Sequence, residues 1–315
     1  MIENNKLAVV VPAYNEEMLI TRTITSIPSY VDKIIVVDDS SKDRTVECVN
    51  KLLQQDPDRI LLIKHEQNQG VGGAIASGYT WCRDHDYEIA VVMAGDAQMD
   101  PEDLPALLQP ILSGEYDYTK GNRLFTGEAW KQIPRARYLG NAVMSLLTKI
   151  ASGYWQIADS QSGYTAINLK ALKTVDWSKM YRRYGQPNDL LVRLNLYNFR
   201  ICDIPIRPVY NIGEKSGVKP IRMIPRLSFL LLKLFFWRLI NKYVIKDFHP
   251  LVFFYIFGFL LFFPGFIFGV WLVAFRLFIG RIAPTSALFA ALLVISGLQF
   301  LLFAMWFDME YNRHK

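Results

Sequence analysis

Two stretches without a single charged residue, 251–275 and 282–307, limit what this chain can be. Each is long enough to cross a bilayer core of about 30 Å with some tilt. Core helices of a water-soluble domain seldom run so far without a charge, so the pair predicts a transmembrane hairpin, with helices over about 251–275 and 283–307. A tight turn from Arg276 to Arg281 joins them. The composition is 51% hydrophobic and 14% aromatic, and the excess lies in this C-terminal region.

The charge is as uneven as the hydropathy. Of a net +6, seven basic residues with no acid fall between Ser216 and Lys246, which leaves the rest of the chain near −1. A nucleic-acid binder carries its charge on the folded domain, so nucleic acid is not an expected partner. A basic segment beside a membrane span suits anionic headgroups and, by the positive-inside rule, predicts a cytoplasmic face. Arg313 and Lys315 put the tail on the same side, so the expectation is an integral membrane protein with both termini and the preceding domain cytoplasmic. The short polar start, Met1 to Lys6, predicts no signal peptide. Cys48, Cys82 and Cys202 form no motif and fit reduced thiols in a cytosolic domain.

Residues 1–218 read as an α/β domain. Leu7–Val11, Lys33–Val37, Ile60–Lys64 and Ile89–Met93 are apolar runs of strand length, each followed by a helical stretch. That alternation predicts a mainly parallel sheet with helices on both faces. Asp117–Lys120, Thr165–Asn168 and Arg200–Val209 are three further strands. Pro134–Ser152 has helical spacing in Leu139, Val143, Leu146, Leu147 and Ile150, and a last helix spans about Asn188–Asn198. Asp96 and Gln98 stand at the carboxyl end of the Ile89–Met93 strand, the edge where open α/β sheets bind ligands. A carboxylate and an amide carbonyl two residues apart suit a hard divalent cation that also holds a diphosphate, although an Asp there can equally cap the next helix. Asp38 and Asp39 end another strand, as a ligand contact or as the cap of the Thr45–Leu53 helix. The glycines of Gly70-Val71-Gly72-Gly73 do not make a dinucleotide fingerprint, because Ile75 takes the third glycine position. They predict close helix packing or loop closure over a ligand.

Residues 219–248 are apolar nearly all round, with sparse cations. At 100° per residue Arg226 and Lys233 share one stripe, and Arg238, Lys242 and Lys246 another. One straight helix cannot wet both, so two interfacial helices with a kink near Leu234–Trp237 are expected, the cationic stems snorkelling.

Val10-Val11-Pro12-Ala13-Tyr14-Asn15-Glu16-Glu17, Val37-Asp38-Asp39-Ser40-Ser41 and Met93 to Pro101 resemble the family 2 glycosyltransferases of the GT-A, Rossmann-like fold. Gly121-Asn122-Arg123, Asp159 to Tyr164 and the hairpin narrow the likeness to polyprenyl-phosphate sugar transferases, of the dolichyl-phosphate mannose synthase and undecaprenyl-phosphate glucosyltransferase type. The resemblance covers about residues 7–247. It implies that Pro12, Ala13, Tyr14 and Glu16 contact a donor nucleotide, and that Val37, Asp38 and Asp39 hold its base and ribose. It makes Asp96 and Gln98 the metal ligands, for Mg2+ or Mn2+, with Gly95 and Arg123 beside the donor. Ala94 stands where the family often has a first Asp, so diphosphate and water would complete the metal shell. Arg137, Asn141, Ser162, Arg207 and Lys215 are the implied contacts to the acceptor phosphate. Asp96, Arg123 and Asp159 are the implied catalytic residues, Asp159 as acceptor orienter, base, or cap of its own turn.

The implied reaction is inverting transfer of one sugar from a nucleotide-sugar, UDP-linked by preference and GDP-mannose as the other choice, to polyprenyl phosphate. A phosphate oxygen is already ionised near neutral pH, so a strong general base is not required. Undecaprenyl and dolichyl acceptors are not distinguished. A downstream flippase is implied by the side on which the product forms, and a homo-oligomer is compatible with the chain. Two other readings compete. A processive family 2 polysaccharide synthase would need more spans and a Gln-x-x-Arg-Trp motif, which Trp155-Gln156 and Trp237-Arg238 do not supply. An inactive, membrane-anchored nucleotide-sugar binder has only Ala94 in its favour.

Overall fold

A computed structural model describes residues 5–124, 135–207, 209 and 220–313, with 135–139, 141 and 220–223 described by backbone only. The chain divides into two units, residues 1–235 and 236–314.

The first unit is built on seven strands: β1 (Leu7–Ala13), β2 (Lys33–Asp38), β3 (Ile60–Lys64), β4 (Ile89–Val92), β5 (Tyr118–Asn122), β6 (Thr165–Asn168) and β7 (Ile201–Pro205). Their order across the sheet is β3-β2-β1-β4-β6-β5-β7. Only β6 runs antiparallel, to β4 on one side and β5 on the other. Strands with both faces covered should be apolar throughout. β1 is buried at every position, and β2 at all but Lys33. One face packs on α3 (Val71–Asp84) and contributes Val10, Val37, Val92, Tyr118 and Ile167 to a core. The other contributes Val9, Val36, Val91 and Met93 to a second core with α4 (Leu104–Leu112). The expected mainly parallel sheet with helices on both faces is what the chain forms.

Most boundaries differ from the sequence expectation by a residue or two. β7 is the larger change: it stops at Pro205 rather than Val209. Proline removes a ladder donor, and the following residues turn back, with the Val209 N–H donating to the Gln98 carbonyl at 3.4 Å. Among the described residues this unit also holds the helices α1 (Ile20–Ser26), α2 (Thr45–Gln55), α5 (Arg135–Ser152), α6 (Leu169–Thr174) and α7 (Gln186–Leu196).

The expected kink at Leu234–Trp237 is absent. α8 (Pro220–Ile240) runs unbroken through it, and the helix widens to π pitch only at Asn241–Lys246. In the second unit Arg238 and Lys242 do not snorkel; they are 1% and 2% exposed. Arg238 donates to both carboxylate oxygens of Asp308, at 2.9 and 2.8 Å, and Lys242 donates to Asn312 Oδ1 at 2.8 Å. Tyr243 also bonds Asp308. The wheel placed these cations correctly on one stripe, but it could not show that a distant acid would meet them.

Two helices, α9 (Leu251–Phe278) and α10 (Pro284–Asn312), are long and apolar enough to cross a membrane. They pack through small residues: an added Cβ on Gly297 would lie 2.4 Å from the Phe262 nitrogen, and one on Gly265 2.6 Å from Leu293 Cβ. Close backbone approach of this kind is how apolar helices associate without a hydrophobic driving force.

Candidate active site at the carboxyl edge of the sheet

The carboxyl ends of β1, β2, β4, β5 and β7 share one edge, and so does the turn that enters β6. Among the described residues, three of the five non-glycine residues with positive φ lie in loops at that edge: Asn15 (57°), Ser40 (65°) and Ala97 (57°). Strain held in place by its surroundings is common at binding sites.

The loops after β1 and β2 are knitted together. The Asn15 N–H donates to Ser41 Oγ at 2.9 Å, and the Lys42 N–H to Asn15 Oδ1 at 2.8 Å. The Glu16 N–H donates to Thr45 Oγ1, and the Glu17 N–H to Asp43. Pro12 and Ala13 sit in β1, and the Pro12 carbonyl accepts from the Gly95 N–H at 3.1 Å. An added Cβ at Gly95 would come within 3.1 Å of Ile20, so the residue lets the β4 loop lie close to the β1 loop. Tyr14 is exposed beside them.

Asp38 and Asp39 have separate duties. Asp39 is 2% exposed and committed: it pairs with His65 Nδ1 at 2.8 Å and accepts the Gln69 and Gly70 N–H groups at 2.7 Å. It caps α3 through the amides that α3 cannot satisfy itself. Asp38 accepts from the Ser41 N–H with Oδ2, while its buried Oδ1 has no hydrogen-bond partner. Neither Asp38 nor Asp39 caps the helix that starts at Thr45, as the sequence allowed; the Thr45 N–H donates to Asp43 Oδ1 at 3.0 Å, Asp39 serves the amides before α3, and the spare acceptor belongs to Asp38. Val37 lies inside the core. The glycines at 70–73 serve close packing: a Cβ on Gly72 would be 2.2 Å from the Tyr181 carbonyl oxygen.

Asp96 Oδ1 accepts the Gln98 N–H at 3.1 Å, across the left-handed Ala97. Glu16 is half-buried, and burial, with the Asp96 and Asp43 carboxylates nearby, pushes its carboxyl up to about 7. Three acids crowded at one strand edge make a place that a cation would relieve. Among the described residues no group of three His, Cys, Asp or Glu side chains could hold a metal by itself. Asp96 and the Gln98 side-chain carbonyl could supply two oxygens to a hard cation only if a bound anion and water completed its shell.

On the far side of β6, Arg123 and Asp159 form a two-pronged pair: Nε to Oδ2 at 2.7 Å and Nη2 to Oδ1 at 3.1 Å. Asp159 is 2% exposed, while the Arg123 side chain is 27% exposed. Burial alone would raise the Asp159 carboxyl; Arg123 and Lys120 outweigh it and hold the group below the usual carboxylate range. An acid held ionised and gripped by Arg is a weak base, so Asp159 orients Arg123. Ser162 is buried, and its carbonyl accepts from Lys120 Nζ. Arg207 is exposed, and its N–H donates to Asp103 at 2.8 Å, next to the Gln98 loop. The backbone at Arg137 and Asn141 lies in α5, with side chains outside the described residues, as is all of Lys215.

Lys120, Asp203 and Asp43 went unremarked in the sequence. Asp43 had a signal, since it follows the Asp-Asp-Ser-Ser turn by two residues. Lys120 had one too, as a charge in an otherwise strand-like run three residues before Arg123.

A mainly parallel sheet with one reversed strand and an acidic loop at its carboxyl edge is the arrangement of the GT-A fold. The fold is shared with glucosyl-3-phosphoglycerate synthase of Mycobacterium tuberculosis, solved with Mn2+, uridine diphosphate and phosphoglyceric acid. That likeness has a TM-score of 0.54 at 19% identity, over 75% of this chain and 78% of that one. The model of the family "Glycosyl transferase family 2" matches residues 8–176, and the chain belongs to that family. Among its relatives is a UDP-N-acetylglucosamine–dolichyl-phosphate N-acetylglucosaminyltransferase of Methanococcus voltae, 32% identical over 64% of this chain and 84% of the relative. Another is an undecaprenyl-phosphate mannosyltransferase of Micrococcus luteus, 27% identical over 67% of this chain and 87% of the relative.

Proposed function

We propose that this protein transfers a single sugar from a nucleotide-sugar, UDP-linked by preference, to a polyprenyl phosphate at the cytoplasmic face of a membrane. The observation that carries the reading is one sheet edge holding both the acidic Asp96–Gln98 loop and the partly exposed Arg123. The chemistry is the meeting of two anions and the departure of a diphosphate.

The loops bearing Pro12, Ala13, Tyr14 and Glu16 receive the nucleotide, with the spare Asp38 oxygen as an acceptor for its ribose or base. Val37 and Asp39 shape the floor of that subsite from the core and the α3 N-terminus. Asp96 and Gln98 would hold Mg2+ or Mn2+, which when bound offsets charge on the leaving diphosphate. Arg123, fixed by Asp159, offers a planar fork to a phosphate. Arg207, Ser162, Arg137, Asn141 and Lys215 serve the acceptor phosphate. Because that oxygen is already ionised, no residue is needed to remove a proton, and direct displacement inverts the anomeric centre. The α9–α10 hairpin anchors the chain where its lipid acceptor resides.

The test mixes purified protein with labelled nucleotide-sugars and a polyprenyl phosphate. A lipid-linked monosaccharide is expected; a polymer or no product overturns the reading. Asp96→Ala should abolish transfer while the protein still inserts in membranes. Surviving activity would remove Asp96 from the site.

A further inference from the structure

Lys120 occupies a position where an apolar side chain would be expected. It lies within β5, paired to Thr165 of β6 on one side and to Asp203 of β7 on the other. It is wholly buried. A lysine is almost never fully buried unless it is paired, because leaving water costs the charged form heavily. Its partners explain its place. Lys120 Nζ donates to the Ser162 carbonyl, and the charges of Asp159 and Asp203 favour its protonated form. Asp203, its register partner, accepts the Ala158 N–H at 2.6 Å. Two residues side by side in the sheet therefore hold the two ends of one short turn, Ala158 to Ser162. Asp159 lies between those ends and grips Arg123.

We propose that Lys120 and Asp203 clamp the Ala158–Ser162 turn, which makes Lys120 a positioning residue that sets the Arg123 guanidinium for the phosphate. The proposal rests on the transfer reaction above and adds a residue that reaches no substrate itself. The buried ammonium, offset in part by Asp203, favours the ionised Asp159, so the carboxylate keeps its grip on the Arg123 guanidinium. A displacement of about 1 Å in such a group can cost about 100-fold in rate.

Burial lowers the Lys120 ammonium to about 8, with Asp159 and Asp203 opposing the shift and Arg123 adding to it. Burial also raises the Asp203 carboxyl to about 6. Tyr118 on the same strand stays protonated, its phenol raised by burial. Transfer should thus fall as pH rises through about 8, when Lys120 loses its charge. Asp203→Asn removes an anion that supports that charge, so the falling limb should move to lower pH.

The experiment uses the full chain in detergent or nanodiscs. Lys120→Met should lower kcat/KM about 10- to 100-fold and abolish the alkaline limb. Should the single variant fail to fold, Lys120→Met combined with Asp203→Asn leaves no lone buried charge. The new amide can still accept from Ala158, so the double variant isolates the loss of the Lys120 end. It should recover thermal stability without recovering transfer, and its crystal structure should show Arg123 displaced from Asp159. Recovery of transfer in step with stability, an unmoved Arg123, or an unshifted pH limb in Asp203→Asn overturns the clamp. A wild-type protein that transfers no sugar to polyprenyl phosphate would instead overturn the reaction, while the variant's structure still decides the clamp.

Discussion

Glu16 shows how a single carboxyl reports on its surroundings. Burial, with Asp96 and Asp43 close by, raises it from an ordinary 4.5 to about 7. Between those values the folded chain binds a proton that the unfolded chain has lost. Stability contributed by this group therefore falls as pH rises from about 4.5 to 7 and stays low above that. Glu16→Gln removes the repulsion, so its Tm should exceed that of the wild type at pH 8, with the difference closing toward pH 5. A difference independent of pH would show that Glu16 is not the crowded acid. Residues of this kind were legible where the chemistry is local. Asp96 with Gln98 and Asp38 with Asp39 stand together in sequence, at the ends of apolar runs. Lys120 was not legible, because its significance comes from Asp159 and Asp203, which only the strand pairing brings near. The division of labour between Asp38 and Asp39 was equally hidden, since His65 and the amides of Gln69 and Gly70 decide it.

At the scale of elements, α3 depends on its glycines. Gly72 packs against the Tyr181 carbonyl and Gly78 against Val10, where added Cβ atoms would stand 2.2 and 2.3 Å away. Gly72→Ala forces backbone apart and should destabilise the first unit by about 2 kcal/mol, read from denaturant unfolding. No loss would mean the contact is loose. The strands were the readable elements: β3 and β6 run over the residues expected of them, and β1 and β2, covered on both faces, leave the clearest apolar runs. Helices bounded by proline or capping side chains were also readable, as at Asp100, whose carboxylate accepts the Glu102 N–H. α8 was not. Its helical wheel identifies which cations share a stripe, but a wheel treats solvent as the only destination for charge. Asp308 and Asn312 supply another, from residues that the hydropathy pattern leaves in the tail beyond the second span.

The whole molecule joins an α/β unit to two helices of membrane-crossing length. The orientation proposed above, with both ends in the cytoplasm, places the short connection between α9 and α10, which holds Gly280, on the opposite side. Gly280 has open space around its Cβ position, so Gly280→Cys should be accommodated. A thiol reagent that cannot cross membranes should label that cysteine in intact cells or spheroplasts. Cys48 and Cys202, half-exposed in the first unit, should react only after lysis. The reverse pattern would invert the topology and put the sheet edge on the wrong side of the membrane for cytoplasmic donors.

The buried Arg238–Asp308 pair has a consequence for heredity. Stripping a desolvated ion of its counterpart costs about 3–5 kcal/mol. A recombination event that kept residues up to 250 and exchanged the two-helix anchor for another would leave Arg238 and Lys242 stranded among apolar neighbours. Descendants of such a swap survive only if the donor segment brings its own acid and amide at matching positions. Relatives that changed Arg238 or Lys242 should therefore carry compensating changes at the positions of Asp308 and Asn312.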